Sequence, residues 1–354
     1  MVKIGITIHN LNNISNRIYS CGIHQHIISF FNYLKNKTNA DVYFISNNIN
    51  NTNYPNAIYH SDINKLIKLN IIISVGLELL ENIIIKFKDN NVKFIKYTLG
   101  HSLINGITEV LHNCYNCNNN NNLSLKVHHL FDEIWISPHF GYSIDYHKYI
   151  HSNDNVLIGP YFWESSYMGE PYQNELGDNL NIGVFESNLL YNKSCFIPII
   201  ICEKSKEYIN KCYITGSKKL YDKSSYFKQF ANRSELFKSK RLTFENRHRF
   251  RYVMDNYCNV VVSFSDDCDL NYLHLECFYL GIPIIHNSKM LKDWGYYYPK
   301  CDVNAAVEHI KNLKKSFNRL EYIEKHKPLL YKYSLQNQEN IDFFNEKLKI
   351  ETKI

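Results

Sequence analysis

Glu276 and the trio His286-Asn287-Ser288 are the side chains best placed to do chemistry. They lie in residues 259–298, NVVVSFSDDCDLNYLHLECFYLGIPIIHNSKMLKDWGYYY. This stretch reads as a buried strand, a polar loop, a short helix, a glycine stop, a second buried strand and a polar tip. Gly281 followed by Pro283 ends the helix and begins the strand. Leu270, Leu273, Cys277 and Leu280 fall on one helical face, which predicts a core face with Glu276 at its edge. A carboxylate there can accept two hydroxyl hydrogen bonds from a ribose or another sugar, a charge-assisted bidentate arrangement. Taken alone, the acid fits a solvated helix surface equally well. In open α/β sheets ligands bind beyond the carboxyl ends of the strands, so the trio at a strand tip marks an expected site.

Other residues offer chemistry of the same kind. Ser20-Cys21-Gly22-Ile23-His24-Gln25 follows a short apolar run. Gly22 permits close backbone approach, and the helix N-terminus after it favours a phosphate or a hydroxyl. An ordinary strand-to-helix turn uses a glycine as well. His101 follows the run VKFIKYTL after Gly100, at another carboxyl end, and Glu109 lies further on. Asp266-Asp267-Cys268-Asp269 superficially resembles a magnesium-binding acidic motif, but its place in the second half argues against that use, and no metal is expected. Tyr296, Tyr297 and Tyr298 offer rings for stacking on a base or sugar. In a chain with 28 tyrosines, packing explains them at least as well. Cys114 and Cys117 form a lone C-x-x-C, weak evidence for zinc without a second pair.

The elements that must hold these residues alternate in type. Runs 2–8, 41–46, 71–76, 92–99, 132–137 and 155–160 predict strands. Helices are predicted near 25–35, 77–88 and 141–150. The run 113–123 is asparagine-rich and reads as a surface loop. Residues 163–180 are polar, lack periodicity and read as a crossover. The pattern then restarts: strands at 181–186, 213–215, 240–244, 260–265 and 282–288, helices near 193–204, 223–233 and 245–256, and a charged helical tail over 304–350. Such alternation implies βαβ units and parallel sheets. The expectation is an α/β protein of two doubly wound Rossmann-like domains facing across a cleft, residues 1–165 and 166–354, with the helical tail able to return to the N-terminal domain. Clefts of this kind commonly hold small molecules.

Composition agrees with a folded chain. At 354 residues it suits two domains, and 45% apolar with 14% aromatic residues excludes disorder. The over-use of Tyr, Ile, Asn and Lys is what an AT-rich coding genome produces, as in a large DNA virus or an AT-rich microbe, and carries no function. The net charge of +6 weakly favours anionic ligands. The basic runs are short, so a nucleic-acid partner is not expected. Ten cysteines scattered through apolar segments (Cys195, Cys202, Cys258, Cys277) read as reduced core thiols. No apolar run reaches the ~18–20 residues that span a bilayer, and the N-terminus reads as a strand rather than a secretory signal. A cytoplasmic location is expected, the host cytoplasm for a viral chain. The oligomeric state stays open.

Glu276-Cys-Phe-Tyr-Leu-Gly281-Ile-Pro283-Ile-Ile resembles the E-A-x-x-x-G-x-P-V-V stretch of retaining GT-B glycosyltransferases. Further stretches, FDEIWISPHFGYSIDY (131–146), GPYFWES (159–165), NIGVFESN (181–188), LNYLHLECFYLGIPIIHNS and GYYYP (295–299), look like a family of glycosyltransferase-like proteins with no assigned activity, a domain of unknown function within the GT-B superfamily with a family 4-like C-terminal region. The resemblance covers nearly the whole chain.

It implies a sugar transfer from a nucleotide-diphosphate donor on the second domain to a glycan or other acceptor on the first, with retention and with no cofactor required. Glu276 would hold the donor ribose. His286, Asn287 and Ser288 would contact sugar or diphosphate. Lys193 would meet the diphosphate, with Arg247 or Arg251 supplying further charge. His101 and Gln25 would face the reacting sugar, and Gly22 and Glu109 would serve the acceptor side. Two departures stand out. Cys268 occupies the place of an acid eight residues before Glu276, and Ser187-Asn188 occupies the place of an arginine. They motivate an alternative, a non-catalytic nucleotide- or sugar-binding protein or a scaffold of a glycan-assembly complex. A nicotinamide-dependent oxidoreductase would need a G-x-G-x-x-G after a first strand, which the chain lacks.

Overall fold

A computed structural model describes residues 1–12, 14, 21–50, 54–115, 128–177, 179–189 and 191–353. The Glu109 side chain and the Cys114/Cys117 pair lie outside what is described. The chain divides into two compact units, Met1–Glu164 with Lys332–Ile354, and Ser165–Tyr331.

The first unit is built on a parallel sheet of β1 (Lys3–Ile8), β2 (Asp41–Ser46), β3 (Ile58–Tyr59), β4 (Ile71–Ser74), β5 (Lys93–Thr98), β6 (Glu133–Ile136) and β7 (Val156–Ile158). Its order is β3-β2-β1-β4-β5-β6-β7. The interior strands carry Ile, Val and Phe on both faces because helices cover both faces. Gly5 has no side chain because a Cβ there would lie 2.6 Å from Ile45 Cδ1. β1 and β4 are tied at their carboxyl ends by Thr7, whose Oγ1 accepts the Val75 and Leu77 backbone N–H groups at 2.9 and 3.2 Å. The helix Gly22–Lys37 packs on this sheet through Ile27, Phe30, Phe31 and Leu34. Behind it, Phe30, Trp135 and Phe162 meet Phe344 of the helix Gln338–Leu348. Phe344 is fully buried, and burying such a ring contributes about 1.5–3 kcal/mol. Thr38 and Thr352 form an antiparallel bridge, which fastens the end of the chain to the first unit.

The second unit holds β8 (Leu180–Val184), β9 (Ile209–Ile214), β10 (Leu242–Phe244), β11 (Val260–Val262), β12 (Ile284–His286) and β13 (Tyr296–Tyr297), again all parallel, in the order β10-β9-β8-β11-β12-β13. β9 is longer than the three residues expected, because its first half, with exposed Asn210 and Lys211 and a register shift against β8, lacks the alternation that marks a strand in sequence. β3 and β13 are edge strands of two residues each, too short to leave a periodic trace in sequence. β13 also reassigns the tyrosine run. Tyr296 and Tyr297 pair with β12, and Tyr298 is fully buried with its hydroxyl donating to Ser263 O at 2.8 Å.

The helix Tyr272–Leu280 differs most from expectation. It has no solvated side: Tyr272 through Phe278 and Leu280 are all buried. The helix Arg319–Lys332 covers the flank that was expected to be open, stacking His326 on Phe278 at 4.2 Å. Gly281 ends the buried helix at φ +70°, and a Cβ there would come within 2.9 Å of Arg319 Cγ and Ile323. Glycine is required by conformation and by space together.

Candidate functional site

β8 is the first strand of the second unit, and it lies between β9 and β11. The winding direction reverses there, and in doubly wound sheets ligands bind beyond the carboxyl ends of the strands at such a point, here β8 and β11. The residues leaving these strands are polar and buried. Glu186 follows β8 by two residues and is 2% exposed. Its Oε1 accepts the Ser263 hydroxyl at 2.7 Å and the Phe264 N–H at 2.9 Å, both at the end of β11, whereas Oε2 bonds to no described residue. Burial pushes the Glu186 carboxyl up to about 7, against the two hydrogen bonds and the positive charge of Lys193, which favour the carboxylate.

Lys193 stands in the turn before the helix Phe196–Lys204, half-buried. The turn is built by Asn188, at φ +54°. Its N–H donates to Lys193 O at 3.0 Å, and its Oδ1 accepts Cys195 N–H at 2.8 Å. The residue in place of the resemblance's arginine therefore shapes the lysine's loop. The charge of Lys193 reaches Glu186 on one side and His274 on the other.

His274 is fully buried, and neither ring nitrogen has a hydrogen-bond partner among the described residues. Burial, then His286 and Lys193, hold its pKa well below the usual imidazole range. Its ring centroid lies 5.0 Å from that of His286. Glu276 sits two residues on, 7% exposed, within the same helix.

The strand-tip trio is spent largely on the fold. His286 Nδ1 accepts the Ser288 N–H at 3.2 Å, so its proton lies on Nε2, which donates to Trp294 O at 2.8 Å. Burial lowers its pKa to about 4. Asn287 Oδ1 accepts Ser265 N–H at 2.8 Å and leaves its Nδ2 without a bond to a described residue. Ser288 donates its hydroxyl to Asp269 O at 2.8 Å. Asn287 and Ser288 pin the loops after β11 and β12 to one another, and His286 holds the loop between β12 and β13. Cys268, in the place of the expected acid, is buried at 7% exposure. Arg247 is exposed and bonds to none of these residues. Arg251 instead lies over the Tyr172 ring at 4.4 Å and donates to Met168 O and Glu170 O.

In the first unit Gly22 opens the helix Gly22–Lys37, and Gln25 is 4% exposed on its first turn. His101 is buried at the start of the helix Ser102–Tyr115. Its Nδ1 accepts Ile104 N–H at 3.3 Å and its Nε2 bonds the Tyr142 hydroxyl. The imidazole caps a helix, and Tyr142, 60% exposed, is the group that reaches solvent.

Sequence reasoning missed Glu186 and His274. The signal for the first was an acid ending the first strand run of a new doubly wound unit. For the second, H-x-E on an otherwise apolar helix was the trace.

The fold is that of GT-B glycosyltransferases. A glycosyltransferase from Rickettsia africae superposes with a TM-score of 0.59 at 12% identity, over 98% of this chain and 99% of that one. HepE from Anabaena, in complex with UDP-glucose, gives 0.61 at 10% identity, over 98% and 100%. Sucrose-phosphate synthase from Thermosynechococcus elongatus gives 0.58 at 10% identity, over 99% and 100%. No curated protein matches the sequence. One family model, described as "Protein of unknown function (DUF2827)", matches residues 4–348. Among the described residues no helix is long and apolar enough to cross a membrane.

Proposed function

The chain belongs to the DUF2827 family, and we propose that it is a glycosyltransferase taking a sugar from a nucleotide-diphosphate donor held by the second unit. What supports this reading most is the group Lys193, Glu186 and His274 around the switch point of β8 and β11, with Glu276 buried two residues beyond His274 in the same helix. Lys193 supplies the cation that a departing diphosphate needs, preorganised in a bonded turn. Glu276 accepts the ribose hydroxyls. Asn287 offers its Nδ2, while His286 and Ser288 hold the loop. Arg247, exposed and unbonded to the group, adds long-range charge for the anionic donor.

The first unit takes the acceptor, a glycan or another hydroxyl compound, with the Gly22–Gln25 turn and the Glu109 helix on that side. His101 acts there through the Tyr142 hydroxyl. The transfer proceeds with retention and without a metal cofactor. A cytoplasmic site of action suits a nucleotide-sugar substrate.

Calorimetry with UDP and GDP, followed by hydrolysis assays across common nucleotide sugars, tests the proposal. Slow donor turnover that disappears in Glu276→Ala supports it, and the anomer released, read by NMR, reports retention. A second reading rests on Cys268 and Asn188, which replace the acid and the arginine: a binding or scaffold protein without catalysis. Nucleotide binding with no turnover, even with acceptors added, decides for that reading. Nucleotide bound elsewhere, undisturbed by Glu276→Ala and Lys193→Ala, would overturn the site.

A further inference from the structure

Beyond the carboxyl ends of β1, β2 and β3 the first unit carries a cavity of about 350 Å³, lined by His9, Asn10, Asn47, Asn48, Asn50 and Tyr59, with Ile49 beside them. Its volume lies at the lower end of small-ligand sites, enough for a single sugar unit. It is lined almost wholly by polar side chains.

The asparagines are not interchangeable amides. Asn47 Oδ1 accepts the Asn10 N–H at 2.8 Å, and Asn10 Oδ1 accepts the Asn12 N–H at 3.2 Å. Asn48 Oδ1 accepts Asn12 Nδ2 at 2.8 Å and the Asn50 N–H at 3.4 Å. Asn10 itself sits at φ +50°, a conformation asparagine tolerates better than other side chains. The carboxamide oxygens of Asn10, Asn47 and Asn48 thus each accept at least one donor within the loops. Turning any of the three amides over would set an NH₂ against an N–H, so their orientation is fixed by the network. What remains are the Nδ2 groups of Asn10, Asn47 and Asn48, none of which bonds to a described residue. The cavity wall therefore offers side-chain donors, joined by the His9 imidazole and by Tyr59, whose ring is 44% exposed.

A ligand suited to such a wall is rich in acceptors and carries a flat ring face for the tyrosine. We propose that this cavity binds a saccharide unit bearing an oxyanion, a uronate or a phosphosugar, as part of the acceptor. The proposal rests on the glycosyltransferase reading for the word acceptor and on the amide network for the oxyanion. A neutral hexose, whose hydroxyls must also donate, meets carboxamide oxygens that already carry loop donors and finds fewer open acceptors than donors on this wall.

The test uses the full chain and ligand-observed NMR titrations with glucuronate, glucose 6-phosphate, glucose and inorganic phosphate. Asn47→Asp keeps the oxygen that holds Asn10 and replaces only the NH₂ by a second, negative oxygen. Asn10→Asp does the same for the Asn12 contact. Glucuronate or glucose 6-phosphate should bind at least ten-fold more tightly than glucose, and both substitutions should weaken that binding at least ten-fold while the unfolding temperature stays unchanged. The preferred sugar of the two identifies which oxyanion the site takes. Equal binding of glucose, no saccharide binding at all, or unchanged affinity in both variants would overturn the proposal. Inorganic phosphate binding as tightly as glucose 6-phosphate would reduce the cavity to an anion site and overturn its saccharide part. UDP titrated into the same samples keeps the two readings separate. Glucuronate binding without UDP binding would sink the glycosyltransferase reading and leave the cavity standing.

Discussion

The carboxyl ends of the two sheets solve different problems. In the second unit the polar groups are sunk: Glu186, His274, Glu276, His286, Asn287 and Ser288 are all buried. Glu186, His286, Asn287 and Ser288 are held by bonds to neighbouring strands and loops, and burial moves Glu186 up to about 7 and His286 down to about 4. In the first unit the surface beyond β1, β2 and β3 is open, whereas His101, beyond β5, is buried. His9, Asn50 and Tyr59 are exposed, and Asn10, Asn47 and Asn48 are half-buried. A buried, bonded constellation suits a ligand whose shape never varies, as the nucleotide part of a donor would be. An open surface of amides suits a ligand that is only one unit of something larger. The difference teaches that preorganisation is concentrated on the side where charge must be stabilised.

The largest effect expected is at Glu276. Its replacement by alanine should weaken nucleoside-diphosphate binding ~30-fold, about 2 kcal/mol, the scale of a charged hydrogen-bonding group, with no change in saccharide binding by the first unit. Calorimetry with UDP and glucuronate on one sample reads both. Next, Lys193→Ala should cost ~10-fold in diphosphate affinity and little in nucleoside affinity. Equal losses for UDP and uridine would mean that Lys193 does not meet the phosphates.

Glu186 sharpens the comparison through pH. As its carboxyl ionises through about 7, a second negative charge appears beside the site. Diphosphate affinity should then fall on the order of five-fold between pH 6 and 8, and Glu186→Gln should flatten the profile. Stability carries the matching sign. The folded chain keeps this proton above the pH at which an unfolded glutamate, near pKa ~4.3, releases it. The contribution is therefore lost as pH rises from about 4.3 to about 7, a slope that Glu186→Gln should remove from melting curves. The smallest effect is at His274. An imidazole with two unbonded nitrogens gains from replacement by a ring of similar size, so His274→Phe should stabilise the ligand-free protein by about 1 kcal/mol, read by urea unfolding. A loss of stability would show that the ring has a partner after all.

The architecture was legible in sequence because a parallel sheet covered on both faces writes long apolar runs, and Gly281-Ile282-Pro283 punctuates a helix and a strand unmistakably. Two-residue strands write nothing, so β3 and β13 were invisible, and Tyr296 and Tyr297 read as rings for stacking or packing rather than as a strand. Solvation was the harder question. Helix periodicity reports the face an element turns to its own sheet. It cannot report that a helix some forty residues later, Arg319–Lys332, lies over the other face, so Glu276 read as an edge residue when it is an interior one. The trio after β12 was read correctly as polar residues at a strand tip, but their bonding to Ser265, Asp269 and Trp294 is non-local. A sequence shows that a histidine is present at a tip, not which of its nitrogens are already engaged.

The return of the chain to its first unit has a consequence for how the protein is made. Phe344 fills the core between Phe30, Trp135 and Phe162, yet it leaves the ribosome after the whole second unit has been synthesised. Translation delivers domains from the N-terminus onward at ~5–20 residues per second, so the residues 165–331 have roughly ten seconds or more to fold while the earlier unit still waits for its last aromatic ring. The unit begun first is the one completed last.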